Sequence, residues 1–132
     1  MNIRLITVKE DFEKAYGILD QREYPLSFYE YMLKHDSYTN KNLLKLVGAF
    51  SDEECLGTIS YKIVKCPHLD RILEINEMHH KSIKGYKILM DFIDEIARDE
   101  HCFSIKICKN KAERLNHSVF DRFENFLKSF AL

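Results

Sequence analysis

The residues with the greatest capacity for chemistry in this 132-residue chain lie together, in His79-His80-Lys81-Ser82-Ile83-Lys84-Gly85-Tyr86-Lys87. A strand-like run, Arg71 to Met78, precedes them, and an amphipathic helix, Ile88 to Arg98, follows. Lys81, Lys84 and Lys87 then fall in a short basic loop around Gly85. The first N–H groups of a helix have no intrahelical partner, and the helix dipole favours negative charge at that end. Lys84 to Lys87 is therefore read as a cradle for phosphate, with Gly85 permitting close backbone approach.

Beside the cradle stand groups that move protons. A free alkyl amine has a pKa of about 10.4, so an amine acceptor needs a base or a route for its proton. Glu77 and Glu74, at the end of the preceding strand, are the candidate bases. Simple alternation puts Glu77 on the face of Leu73 and Ile75, and Glu74 opposite. Histidine is the side chain suited to shuttling protons near neutral pH, which makes His79 and His80 candidates for that role, but adjacent strand residues point apart and do not chelate one ion. No C-x-x-C occurs among Cys55, Cys66, Cys102 and Cys108, so no metal site is expected and the thiols read as reduced.

These groups need elements to hold them. Ile3, Leu5 and Ile6 suggest a first strand, and Glu10 to Leu19 a helix. Ser27 with Glu30 is a capping box opening a second helix, followed by a polar loop from His35 to Lys41. Leu43 to Phe50 and Cys55 to Val64 read as strands joined by a hairpin turn at Ser51 to Glu54. A turn at Pro67 to Asp70 leads to the third of these strands. After the basic loop and its helix come a strand, Phe103 to Cys108, a final helix, Asn116 to Phe126, and a closing strand at Ser129 to Leu132. The order β-α-α-β-β-β-α-β-α-β predicts one α/β domain over residues 1–132: a mixed sheet with helices on both faces.

Composition narrows the classes. Hydrophobic residues make up 45% of the chain, enough for a core, so disorder is excluded. A net charge of -1 gives no reason to expect nucleic acid. No apolar run approaches the roughly 20 residues that span a bilayer, and no secretory leader is legible, so a cytoplasmic protein without a membrane partner is expected.

Several local words resemble the GNAT family of acyl-CoA-dependent N-acyltransferases, over essentially the whole chain. They are Lys84-Gly85-Tyr86-Lys87-Ile88-Leu89-Met90-Asp91 running through Glu95-Ile96-Ala97 to His101-Cys102, and Asn116-His117-Ser118-Val119-Phe120 with Phe126. The segments Ile18 to Ser27, Leu46 to Phe50 and Leu56 to Tyr61 add to the likeness. The resemblance implies a fold with two splayed strands and acetyl-CoA, as co-substrate, in the cleft between them. It places pyrophosphate at Lys84, Gly85, Tyr86 and Lys87, and the pantetheine arm and oxyanion at the backbone of Met78 and His79. It makes Glu77 the base, puts His117 near the cofactor, sets Phe120 where a proton-donating tyrosine is usual, and gives Tyr24, Phe28 and Tyr29 to the acceptor wall. The acceptor would be a small-molecule or protein amine, and the protein a monomer or homodimer. Lys87 stands where the family has a second small residue. That departure, with Phe120, supports a rival expectation: a CoA-binding or protein-interaction module without turnover.

Overall fold

The computed structural model describes residues 2–65 and 71–107. Eight elements follow in order: β1 (Asn2–Leu5), α1 (Lys9–Tyr16), α2 (Phe28–Asn40), β2 (Lys45–Ser51), β3 (Glu54–Lys65), β4 (Arg71–His80), α3 (Ile83–Asp99) and β5 (Cys102–Ile107). The strands form one sheet in the order β1-β2-β3-β4-β5. All neighbours are antiparallel except β4 and β5, which run parallel because α3 crosses between them. The expected final helix and closing strand, the turn at 67–70, Cys66 and Cys108 lie outside the described residues.

Helices cover both faces, as the element order predicts. On one face α3 buries Leu89, Ile93 and Ala97 against Val47, Ile59, Leu73, Ile75 and Ile105. Fully burying each large aliphatic side chain contributes about 1.5–3 kcal/mol, so this contact dominates the fold. On the other face Phe12, Ala15, Leu19 and Tyr31, from α1, α2 and their connection, pack on Leu46, Phe50 and Cys55. Among the described residues no helix is long and apolar enough to cross a membrane.

The β2–β3 hairpin turns at Asp52 and Glu53, both with positive φ (49° and 67°), between the paired Ser51 and Glu54. Two positive φ values match the twist of a two-residue hairpin, here without glycine. Two bulges follow from the pairing register. Ala49 faces Gly57 but Phe50 faces Cys55, so Leu56 is extra on β3. Ser60 faces Glu77 but Tyr61 faces Ile75, so Asn76 is extra on β4.

Two expectations are corrected. The stretch from His35 is not a loop: α2 continues to Asn40 because His35, 1% exposed, turns inward. Its ring stacks edgewise on Tyr31 one turn earlier, at 4.8 Å. An inward histidine breaks the apolar pattern on which the reading relied. Likewise α3 begins at Ile83 rather than Ile88, so Lys84 to Lys87 form its first turn, and the strand before it runs on to His80.

Candidate functional site

The site is assembled by the Asn76 bulge. Leu73 and Ile75 face α3, and so does Met78. The extra residue reverses the alternation, so Glu77 and His79 point to the opposite face, toward α2. The expectation that Glu77 shares a face with Leu73 and Ile75 is therefore wrong, because simple alternation does not survive a bulge.

Turned this way, the Glu77 carboxylate is 6% exposed and well partnered. The Tyr24 hydroxyl donates to Oε1 at 3.1 Å, and Lys34 Nζ donates to the same oxygen at 2.9 Å. Lys34 Nζ also donates to the Tyr24 hydroxyl at 2.7 Å, which closes a triangle. His79 Nε2 lies 3.5 Å from Oε2, and its ring meets Tyr24 edge-on at 5.3 Å. Burial, reinforced by the Glu77 charge, pushes the Tyr24 hydroxyl far above its ordinary range. Tyr24 therefore stays protonated and serves as a donor.

More polar groups lie underneath. Ser60, opposite Glu77 in the register, is fully buried, as is Thr58 opposite His79. The Ser60 and Tyr31 hydroxyl oxygens have no hydrogen-bond partner among the described residues. Burial raises Tyr31 as well.

The β4 end that carries Glu77 lies beyond the last described pairing with β5. Parallel pairing runs from Arg71 and Cys102 to Ile75 and Ile107, which is the last described residue of β5.

The turn from β4 into α3 is tight. The Leu56 bulge turns its carbonyl toward it, and Lys81 N–H donates there at 2.9 Å. Lys81 also pairs with Glu54. Ser82 caps α3, its hydroxyl accepting from Gly85 N–H at 3.2 Å. A Cβ at Gly85 would stand 2.3 Å from the Leu56 carbonyl oxygen. Gly85 is thus needed for the close approach of α3 to β3, a packing role the sequence reading assigned instead to phosphate. The N–H groups of Ile83 and Lys84 precede the first intrahelical acceptor and remain at the helix start. Ile83, Lys84 and Lys87 are exposed. Tyr86 is buried and packs edgewise on His80 at 5.4 Å.

Of the expected acceptor wall, only Tyr24 reaches the cluster. Phe28 packs on Tyr16 at 5.6 Å, and Tyr29 is 64% exposed. Glu74, the second candidate base, lies 3.7 Å from Lys62 in a cross-strand pair. His117 and Phe120 lie outside the described residues. Among the described residues no group of His, Cys, Asp or Glu could hold a metal ion. The sequence reading missed Lys34. Its available signal was spacing: Tyr31, Lys34 and His35 stand at i, i+3 and i+4, on one face of α2.

No protein-family model matches the sequence, and neither does any curated relative. Solved structures match in fold. A GNAT family acetyltransferase from Staphylococcus aureus superposes with a TM-score of 0.65 at 18% identity, over 82% of this chain and 85% of that one. The aminoglycoside 6'-N-acetyltransferase AAC(6')-IG of Acinetobacter haemolyticus gives 0.67 at 10% identity, over 96% and 89%. A transcriptional regulator from Bacillus halodurans gives 0.67 at 16% identity, over 92% and 89%. Similarity at these identities is similarity of fold.

Proposed function

On a fold shared with the GNAT acetyltransferases, we propose that this chain is an N-acyltransferase, moving an acyl group, in the first instance acetyl, from CoA to an amine. One observation carries the reading: the Asn76 bulge turns a buried carboxylate, Glu77, to the α2 face of β4, where the Tyr24 hydroxyl and the Lys34 ammonium meet it. There Glu77 accepts the proton of an attacking amine. Tyr24, held protonated at 3.1 Å, orients that carboxylate. A thioester laid along residues 76–80 would find backbone N–H groups on that strand to orient it and stabilise its oxyanion. Its pyrophosphate would lie on the N–H groups of Ile83 and Lys84, with the Lys84 and Lys87 ammonium groups as point charges.

The test has two parts. Acetyl-CoA at about 100 times its Kd should stabilise the fold by about 2.7 kcal/mol, read as an upward shift in Tm. With an amine panel, CoA thiol should appear, and Glu77→Gln should slow its release by roughly 10²–10⁴-fold. Release unaffected by Glu77→Gln would remove Glu77 from the mechanism.

The tight turn favours a second reading. Ser82 already takes the Gly85 N–H, and Gly85 lies against Leu56, so the cradle is narrower than Lys84 to Lys87 suggests. A chain that only binds CoA would be stabilised by acetyl-CoA and would release no thiol with any amine.

A further inference from the structure

We infer that Lys34 is itself an acyl acceptor: the thioester bound along the end of β4 acylates this lysine of the same chain. The inference rests on the acyl-CoA reading above.

Lys34 is the amine already at the candidate base. Its Nζ donates to Glu77 Oε1 at 2.9 Å and to the Tyr24 hydroxyl at 2.7 Å. It also lies 5.1 Å from the centre of the Tyr24 ring. An incoming acceptor amine would need these same contacts: a carboxylate to take its proton and an aromatic wall to hold it. Lys34 therefore occupies the position of an acceptor. It reaches there from α2, on the face of β4 to which the Asn76 bulge turns Glu77. Its side chain is 22% exposed, so the amine is confined without being sealed from solvent. Confinement beside the base converts a bimolecular step into an intramolecular one.

The step balances with an acyl thioester of CoA as the only co-reactant. The Lys34 ammonium gives one proton to Glu77, and the freed Nζ lone pair attacks the thioester carbonyl carbon. The N–C bond forms and the C–S bond breaks. The nitrogen sheds its second proton to the departing thiolate, which leaves as CoA thiol, and Glu77 passes its proton to solvent. The product is a neutral amide at Nζ, so the ion pair with Glu77 is lost. Self-acylation would thus change the charge of the cluster once per molecule, before or alongside transfer to free amines.

Uncatalysed acylation would give the opposite site preference. Exposed amines such as Lys41 and Lys45 react from solution, whereas an ion-paired, mostly covered amine reacts last. Preference for Lys34 is therefore diagnostic.

The full chain should be incubated with acetyl-CoA in the absence of other amines and its peptides mapped by mass spectrometry. The expected result is a gain of about 42 Da on Lys34, formed at least about tenfold faster than on the exposed Lys41 or Lys45. Glu77→Gln should slow the Lys34 adduct by about tenfold or more while leaving those two lysines unchanged. Lys34→Arg keeps a cation for Glu77 and Tyr24, so it should fold with a Tm near that of the parent and give no adduct at that position.

An adduct spread over exposed lysines, or one at Lys34 that ignores Glu77→Gln, would overturn the inference. So would a Tm shift with acetyl-CoA and no adduct at Lys34, which leaves the acyl-CoA reading standing. No Tm shift with acetyl-CoA and no adduct would overturn both.

Discussion

The two faces of the sheet are built from different materials. Under α3 the contact is mainly aliphatic, with Leu73, Ile75, Leu89, Ile93 and Ile105 each at most 1% exposed and Tyr61 and Tyr86 as its buried rings. Under α1 and α2 the interior mixes aromatic rings with buried polar groups, among them Tyr31, His35, Ser60 and Glu77. Burying polar groups costs stability unless they are partnered, and a fold selected only for stability would not gather them on one side. The first face is scaffold. The second carries the chemistry, and the bulge at Asn76 allows one strand to serve both.

The sharpest way to break this division is on the scaffold. Leu89→Ala removes a side chain buried at the centre of the α3 contact, and should cost about 2–5 kcal/mol in a urea titration. Gly85→Ala is the next largest. Helix propensity alone would favour alanine by about 1 kcal/mol. The new Cβ, 2.3 Å from the Leu56 carbonyl oxygen, must instead force α3 off β3, at about 1–3 kcal/mol or more. A stabilised Gly85→Ala variant would mean that this glycine serves a ligand, as the sequence suggested, and not the packing.

The scaffold face was the legible one. Ile88, Leu89, Phe92, Ile93, Ile96 and Ala97 form a stripe at helical spacing, and Phe103, Ile105 and Ile107 alternate as a strand does, so α3 and β5 could be read from periodicity. The capping box at Ser27 and Glu30 was equally readable, since it lies within four consecutive residues. The chemical face was read less well, for two physical reasons. A bulge depends on the partner strand, so nothing in Asn76-Glu77-Met78 announces that the alternation reverses there. The inward face of α2 is made of Tyr31, Lys34 and His35, which a hydrophobic pattern counts as solvent-facing. Glu77 and Tyr24 stood among the candidates, but Lys34, which the structure joins to them, did not.

The hydroxyls of the second face sharpen the comparison further. Tyr31 and Ser60 bury oxygens that have no hydrogen-bond partner among the described residues. Tyr31→Phe and Ser60→Ala should therefore hold or raise stability, by up to about 1 kcal/mol each, measured by the urea midpoint. If transfer to an amine falls at the same time, the hydroxyls belong to the site and not to the core. A loss of stability instead would make them structural and erase the contrast between the faces.

The smallest effect separates two ion pairs on that one face. Asp11 on α1 accepts from Arg4 Nη2 at 2.8 Å and Nε at 3.0 Å, and the Arg4 guanidinium lies 3.9 Å from the Phe50 ring centre. The hydrogen bond from Arg4 holds the Asp11 carboxyl below the usual carboxylate range, against the opposing effect of burial. A carboxyl lowered in the folded state stabilises the fold above its unfolded value, near about 4, and loses that contribution as the pH falls through the folded value. Asp11→Asn should therefore lower Tm by a few degrees at neutral pH, with the gap to the parent narrowing as the pH drops below about 4. Acyl transfer should be unchanged, because neither Asp11 nor Arg4 contacts the Glu77 cluster. Glu77→Gln is expected to do the reverse, acting on transfer above all. If Asp11→Asn slowed transfer as much as Glu77→Gln does, the whole α1–α2 face would be acting as one unit, and the assignment of the chemistry to the Glu77 cluster would fail.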